Sequence, residues 1–347
     1  MSFQIFNKTV GFGPKSYSLI NKKGVKNAII FTGISTDYSK VILRISKILP
    51  ECKIKHIKIG NERSSNEELN SYVKNIQNDE ISLIFAIGGG SIIDYVKQIY
   101  LISSDNIKHN LELVVIPSKI GSGAESSIAT ILNINKKKII SVNDNSLPNG
   151  VIYDTELFSK LDNDQILLGA IDAITHCIES KTSILSNHYS DFLAQSSLFH
   201  FSLFIKKIDL ESEKKFSNDI LYKFCMLSFN GGLAQSKTGA GICHALAHAA
   251  EEITGLSHSM CVAYFLKPTL KYLSELKQNF FDEFSEEIEI GIFRILDRLN
   301  KFYDFTVLDQ LVSDTKKLDL LIEKAAHDSC WRLFYKKIDI DLLKNSF

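Results

Sequence analysis

The apolar run Ile81-Ser82-Leu83-Ile84-Phe85-Ala86-Ile87 stops abruptly at Gly88-Gly89-Gly90-Ser91, and Ile92, Ile93, Val96 and Ile99 follow at once with helical spacing. A strand that is apolar on both faces has to be covered on both faces, which is the situation of a parallel sheet wrapped by helices. The same alternation recurs on either side. Lys26 to Gly33 reads as a short buried strand released by glycine, and Tyr38, Val41, Ile42, Ile45 and Ile48 lay out a helical face that Pro50 closes. Ile54, Ile57 and Ile59 then alternate as a strand does, much of Asn66 to Asn78 reads as a helix, and Leu111 to Ile116 is a further strand. Gly121-Ser122-Gly123 breaks the chain before a strand around Ala129 to Leu132. Strand and helix in turn predict an α/β fold with a mostly parallel sheet. Ahead of it stands a polar, hairpin-like start. The polar 130s and 140s, with KKK and SVNDNSLPNG, are expected to loop across a domain interface before Val151-Ile152-Tyr153-Asp154 returns to the core.

From about Leu161 the pattern changes to long helical periods. Asp162 to Glu179, Tyr189 to Ile205, Phe216 to Gln235, Gly241 to Thr254, Met260 to Leu273 and Phe281 to Leu299 are the predicted helices, and Ile338 to Phe347 is a terminal helix or a docked extension. The change divides the chain into a first domain over residues 1–158 and a helical one over 159–347. A chain of 347 residues, 45% of them hydrophobic, has enough apolar matter for two cores. Forty basic and forty acidic side chains cancel, so the polycationic footprint of a nucleic-acid binder is missing. Neither a secretion-signal core nor an uninterrupted apolar stretch of membrane-spanning length occurs, so a cytoplasmic protein without membrane or nucleic-acid partners is expected. Cys52, Cys177, Cys225, Cys243, Cys261 and Cys330 are scattered without a CxxC pair and read as reduced thiols.

Residues without Cβ let a loop approach a phosphate closely, and the N–H groups opening the next helix face its charge. Gly88, Gly89, Gly90 and Ser91 have that context, with Ser91 capping the helix or meeting a phosphate and Asp94 meeting a cofactor sugar or simply filling a helical first turn. A triple glycine also solves a tight strand-to-helix connection without any ligand. The second glycine-rich turn, Gly121 to Ser126, follows a strand ending in Ile116-Pro117, so two strand ends can converge around a pyrophosphate and ribose. Neither turn matches GxxxxGK[ST].

Asp172 and His176 lie four positions apart, as do His244 and His248, and His258 follows beyond Gly255. On helices each pair shares a face. Should Asp172, His176, His244 and His258 converge, one carboxylate and three imidazoles would bind Fe(II) or Zn(II) and leave a position for a substrate oxygen. Such an ion polarises a carbonyl or stabilises an alkoxide, and His248, outside the set, would relay a proton. Any one histidine taken alone reads equally as a packed or hydrogen-bonded core residue. An HExxH protease is disfavoured, because Ala245 follows His244. Cys243 and Cys261 flank the set and read as small core residues.

The segments AIGGGSIIDYVK, IPSKIGSGAESS, GAIDAITHCIES and GICHALAHAAEEITGLSHS, in this order, resemble the iron-containing, group III alcohol dehydrogenase family over nearly the whole chain. The resemblance implies an α/β N-terminal dinucleotide-binding domain, an all-helical C-terminal metal-binding domain of the dehydroquinate synthase-like type, and a cleft between them. It implies Asp172, His176, His244 and His258 as metal ligands, with His248 as the additional active-site histidine. It assigns Gly88, Gly89, Gly90 and Ser91 to the pyrophosphate of NAD or NADP, and Asp94, Ser118, Ser122 and Gly123 to other parts of the cofactor. The chain departs from the family at Gly33, where an aspartate often grips the adenosine ribose, which opens the way to NADP. It departs again at Ala249, in place of a proline, and at Ser259, in place of a glycine. GSGAESS together with GICHALAH resembles the branch that oxidises 3-deoxy-octulosonate, with reduction of small aliphatic aldehydes or of phosphonoacetaldehyde as the open alternatives; Lys119 and Asn133 suit an anionic substrate but read first as ordinary solvent-exposed residues. The expected activity is metal-dependent, NAD(P)-linked interconversion of an alcohol with an aldehyde or ketone by a homodimer. The alternatives are a sugar-phosphate cyclase or polyol-phosphate dehydrogenase of the same superfamily, and an inactive metal-binding assembly protein.

Overall fold

The computed structural model describes residues 9–20, 23–60, 66–107, 110–134, 137–212, 214–276 and 286–347. The chain forms two compact units, Met1–Lys160 and Leu161–Phe347.

The first unit contains β1 (Thr9–Phe12), β2 (Asn27–Gly33), α1 (Ser39–Ile48), β3 (Lys53–Ile59), α2 (Asn66–Asn78), β4 (Leu83–Gly88), α3 (Gly90–Asn106), β5 (Glu112–Pro117), β6 (Ala129–Ile134), β7 (Lys137–Val142), β8 (Gly150–Tyr153) and α4 (Thr155–Phe158). Six strands form one sheet in the order β1-β8-β5-β4-β2-β3, every pair parallel. Its central strands are apolar on both sides for the anticipated reason. Ile29, Phe31, Ile84, Ala86, Leu113 and Val115 pack against Leu69, Val73 and Ile76 of α2 and Ile92, Val96 and Ile99 of α3. Ala28, Ile30, Leu83, Phe85, Ile87, Val114 and Ile116 meet Val41 and Ile45 of α1 and Leu157 of α4 on the other face. The chain leaves β2 through α1 towards the β3 edge, and leaves β4 through α3 in the opposite direction to β5. The adjacent strands β2 and β4 therefore flank the topological switch point, where open α/β sheets bind ligands beyond their carboxyl ends. Gly33 and Gly88 are those ends.

Two expectations need correction. The start is no hairpin: β1 pairs in parallel with β8, Val10 opposite Val151, while Met1 to Lys8 lie outside the described residues. The polar 130s and 140s do not form a loop. β6 and β7 pair as an antiparallel ribbon separate from the main sheet, Ile131 opposite Ile140 and Leu132 opposite Ile139. The ribbon is fastened to α3 because Leu132 is buried in the α2/α3 core and the Ile131 N–H donates to Asp94 Oδ2 at 3.0 Å. Those apolar residues, paired strand to strand, outweigh the local lysine content.

The second unit is helical: α5 (Asn163–Lys181), α6 (His188–Ile205), α7 (Asn218–Thr238), α8 (Ile242–Thr254), α9 (His258–Glu275), α10 (Glu286–Phe302), α11 (Thr306–Ser313), α12 (Thr315–His327), α13 (Ser329–Arg332) and α14 (Ile340–Lys344). The predicted Phe281 start of the sixth helix lies outside the described residues. α5 is the axis, buried from Ile166 to Ser180 and packed against α6, α7, α9 and α10. α7 approaches it closely at Gly231, where a Cβ would stand 2.8 Å from the Ala173 carbonyl oxygen. The C-terminal segment docks within this unit: Lys271 Nζ donates to the Asn345 carbonyl, and Phe347 meets the Phe265 ring edge-on at 5.9 Å. Among the described residues no helix is long and apolar enough to cross a membrane.

Candidate metal centre and nucleotide loops

α5 carries Asp172 and His176 one turn apart, and α8 carries His244 in its first turn with His248 one turn on. α8 stops at Gly255, whose φ of +72° closes the helix in the left-handed region. The chain enters α9 three residues later, which returns His258 to the other histidines. His176 and His244 stack at 4.7 Å between ring centroids. Asp172 Oδ1 lies 3.3 Å from His244 Nε2 and 3.6 Å from His176 Nε2. One donor atom from each of Asp172, His176 and His244 falls within 4.8 Å of the others, and all three side chains are buried. His258 is not in that group. Its ring centre is 5.4 Å from that of His244, its side chain is about one-third exposed, and its Nδ1 is 3.6 Å from Glu251 Oε2. The structure thus brings three of the four expected ligands together and holds the fourth one ring away.

Burial disfavours the Asp172 carboxylate, yet His176, the hydrogen bond to His244 and the charges of His258 and His244 outweigh it and hold the group well below the ordinary range. Burial pushes His176 down to about 4, only partly opposed by Asp172. Burial also works against a charged His244, but Glu179 and Asp172 on its two sides win and raise it to about 10. The cluster therefore holds two buried carboxylates, a neutral His176 and a proton on His244 between them. His176 Nδ1 is buried with no hydrogen-bond partner among the described residues. Two carboxylates balanced by a single imidazolium, with a buried imidazole nitrogen unsatisfied, suit a divalent cation that would replace the proton and neutralise both charges.

Glu179 was not among the residues singled out in the sequence. It lies two turns beyond Asp172 on α5, and its carboxylate accepts from the backbone N–H groups of Gly241, Cys243 and His244 and binds His244 Nδ1 at 2.6 Å. Its place three residues after His176 was the available signal. His248 has a partner of the same kind. Its Nδ1 is 2.9 Å from Asp328 Oδ2, while Asp328 Oδ1 accepts from Cys330 N at the start of α13. Against the cost of burial, that bond to His248 holds Asp328 down at about 2. The His248 ring stacks on His258 at 5.1 Å and stands 6.1 Å from His244.

In the first unit Gly88 ends β4, Gly89 caps α3 and Gly90 begins it. The three glycines differ in what the fold asks of them. A Cβ on Gly88 would lie 2.7 Å from Ile92 Cβ, and one on Gly90 would lie 2.6 Å from Ser122 Oγ, so packing alone excludes side chains there. Gly89 has φ −77°, open to any residue, and its Cβ would meet only the flexible Lys119 stem at 3.5 Å. Among the described residues nothing but the exposed Lys119 comes within 4 Å of that position. No side chain caps α3 and no acidic residue occupies its first turn, which leaves Ser91 exposed at a helix start suited to an anion. Ser118 closes the neighbouring strand end, its N–H donating to Gly88 and its Oγ accepting from Tyr38. Ser122 and Gly123, φ +60°, form the second glycine-rich turn and contact Gly90 through the Ser122 side chain. Asp94 departs from expectation. It is buried, accepts from Ile131 N and lies 3.6 Å from Lys97 Nζ, and burial lifts it to about 6. In this structure it anchors the ribbon from the buried side of α3.

Two family models match: iron-containing alcohol dehydrogenase over residues 9–155, and the C-terminal domain of the Fe-containing alcohol dehydrogenase family over residues 166–339. The chain is 27% identical to alcohol dehydrogenase 4 of Saccharomyces cerevisiae over 352 residues, covering 90% of this chain and 87% of that one. It is 22% identical to an NADPH-dependent butanol dehydrogenase of Clostridium saccharobutylicum, covering 95% and 92%. Its fold is similar to that of sulfoacetaldehyde reductase from Bifidobacterium kashiwanohense, solved in complex with NAD+, with a TM-score of 0.77 at 18% identity over 99% and 97% of the two chains. With both halves of the molecule matched in order, the chain belongs to the iron-containing alcohol dehydrogenase family and is an oxidoreductase acting on alcohols and aldehydes.

Proposed function

We propose that the unit over residues 1–158 binds NAD or NADP and that the helical unit over 159–347 binds one divalent ion, Fe(II) or Zn(II), and the substrate. The observation that carries this reading is the buried Asp172, His176 and His244 cluster, with its excess of negative charge and the unsatisfied His176 nitrogen. Asp172, His176 and His244 hold the ion, and His258 completes the set by turning at the start of α9. When bound, the ion supplies the positive charge that polarises a carbonyl or stabilises an alkoxide. His248, oriented through Nδ1 by Asp328, moves the alcohol proton at its Nε2. Gly88, Gly89, Gly90 and Ser91 take the pyrophosphate at the α3 start, Lys119 adds a positive charge there, and Ser118, Ser122 and Gly123 support the adjoining strand end. Gly33 puts no carboxylate at the end of β2, so a ribose phosphate meets no repulsion there and both NAD and NADP are accepted.

Among substrates, the resemblance of GSGAESS and GICHALAH favours a polar sugar acid such as 3-deoxy-octulosonate over a simple aliphatic alcohol. The test is a cofactor-coupled screen of Fe(II)- and Zn(II)-loaded protein in both directions, with small aldehydes, phosphonates, sugar phosphates and 3-deoxy-octulosonate, in which products are identified. Cofactor turnover on the sugar acid supports the reading. Release of phosphate from a sugar phosphate without net cofactor reduction overturns it in favour of a cyclase.

A further inference from the structure

We infer that Glu179 is the positioning residue that makes His244 a metal ligand, by fixing both the ring and the helix that carries it. This rests on the metal reading above.

A neutral imidazole has one N–H and one lone pair, and its partners decide which nitrogen is which. A carboxylate only accepts. Glu179 Oε2, 2.6 Å from His244 Nδ1, therefore holds a hydrogen on Nδ1, so that Nε2, whose proton faces Asp172 Oδ1 at 3.3 Å, is the nitrogen that would give up its hydrogen and offer a lone pair to a cation. The same carboxylate binds the helix start. Gly241, the residue before α8, offers no side-chain cap, and Glu179 replaces one by accepting from Gly241 N at 2.7 Å, Cys243 N at 2.6 Å and His244 N at 3.2 Å. Backbone and ring of His244 are thus referred to one point on α5, the helix that carries Asp172 and His176. Gly241 makes room for this arrangement. A Cβ there would stand 3.2 Å from both Glu179 Cδ and Oε1, although its φ of −132° is open to alanine. A capping carboxylate alone would not need to reach the ring, and a ring partner alone would not need the empty Cβ position. Together they make a rigid frame around a single coordination direction.

The test measures Zn(II) affinity of the full chain by chelator competition, together with the His244 Nδ1–H proton resonance of the zinc-loaded protein. Glu179→Gln keeps an acceptor for the helix start but turns an amide donor or a weaker acceptor to Nδ1. Metal affinity is expected to fall about 10- to 100-fold, with the downfield Nδ1–H resonance lost. Gly241→Ala, which leaves the carboxylate in place and displaces it by tenths of an ångström, is expected to give a smaller loss in the same direction, and it decides the matter if Glu179→Gln does not fold. His244→Ala separates the two levels. If it loses affinity while Glu179→Gln or, where that variant fails to fold, Gly241→Ala keeps the parental value and the resonance, the role of Glu179 is overturned. If His244→Ala itself keeps the parental affinity, the metal reading fails and this inference with it.

Discussion

The glycine loop of the first unit and the histidine cluster of the second are built by opposite means. Around Gly88–Ser91 the chain withholds side chains, which in the proposed reading leaves recognition to backbone N–H groups and empty volume. Around Asp172, His176 and His244 it concentrates ionisable side chains where water does not reach. The first device is local: strand, glycines and helix start are contiguous, and the space beside Gly89 follows from what the chain lacks. The second is assembled from two helices, α5 and α8, and depends on carboxylates far along the chain from their partners, Glu179 for His244 and Asp328 for His248. A site of absences tolerates drift in its surroundings but no added bulk. A site of charges tolerates little change in any partner, because each group sets the protonation of the next.

The largest effect that would sharpen this contrast is expected at His248. His248→Ala removes the proposed proton relay while leaving the side chains of Asp172, His176 and His244 in place. Turnover is expected to fall by roughly 10² to 10⁴ with metal content unchanged, and part of the loss recovers where solvent takes over the transfer. Steady-state kinetics with metal analysis on the same preparation checks it. Unchanged turnover and pH dependence would make His248 a packing residue and leave the cluster with no proton path through α8.

The same contrast explains what could be read from the chain before its fold was known. The main sheet was legible because its strands are apolar on both faces and stand between helical periods, and a helix over much of Asn66 to Asn78 was legible too. The β6–β7 ribbon was not, because lysines mask its few inward residues, and one anchor is the Asp94 carboxylate, which belongs to another element. The surroundings of Asp94 were hidden for the same reason: four positions after the glycines it suits a sugar, and only the fold shows that Asp94 and Lys97 on α3 are both buried. α11, α12 and α13 escaped notice because Thr306 to Arg332 contains short helices with frequent charges. Asp172 and His176 were legible from their spacing on one helix. Glu179 and Asp328 were not, since their partners lie 62 to 65 and 80 residues away in the chain. That His258 stands one ring from the others is likewise a matter of how α9 packs, which spacing does not encode.

At the glycine loop the expected effect is smaller, and it is read in binding rather than in chemistry. Gly89→Val has room within the fold, since a Cβ there meets only the Lys119 stem, so stability should change little. Cofactor affinity is expected to fall by about 10- to 100-fold, as the branched side chain fills the space a pyrophosphate would use. Nucleotide titration beside thermal unfolding separates the two. Equal affinity in a folded variant would remove the loop from the cofactor site, and with it the contrast between absence and charge.

The smallest effect belongs to Gly33, where the two devices can be exchanged at one position. Gly33 ends β2 beside Gly88 at the switch point, and a Cβ there would lie at ordinary contact distance, 3.5 Å from Ile92 Cγ1, so an aspartate is sterically admissible. Gly33→Asp converts a site defined by a missing side chain into one defined by a carboxylate. That group accepts hydrogen bonds from the ribose hydroxyls of NAD and repels the extra phosphate of NADP. The ratio of kcat/KM for the two cofactors should therefore move towards NAD by about tenfold, which is near 1.4 kcal/mol of differential binding. Turnover at saturating NAD should stay close to that of the parent, because the change lies at the adenosine end of the cofactor. A ratio that does not move would mean that the ribose does not reach the end of β2, even if Gly89→Val has already shown that the pyrophosphate sits at the end of β4.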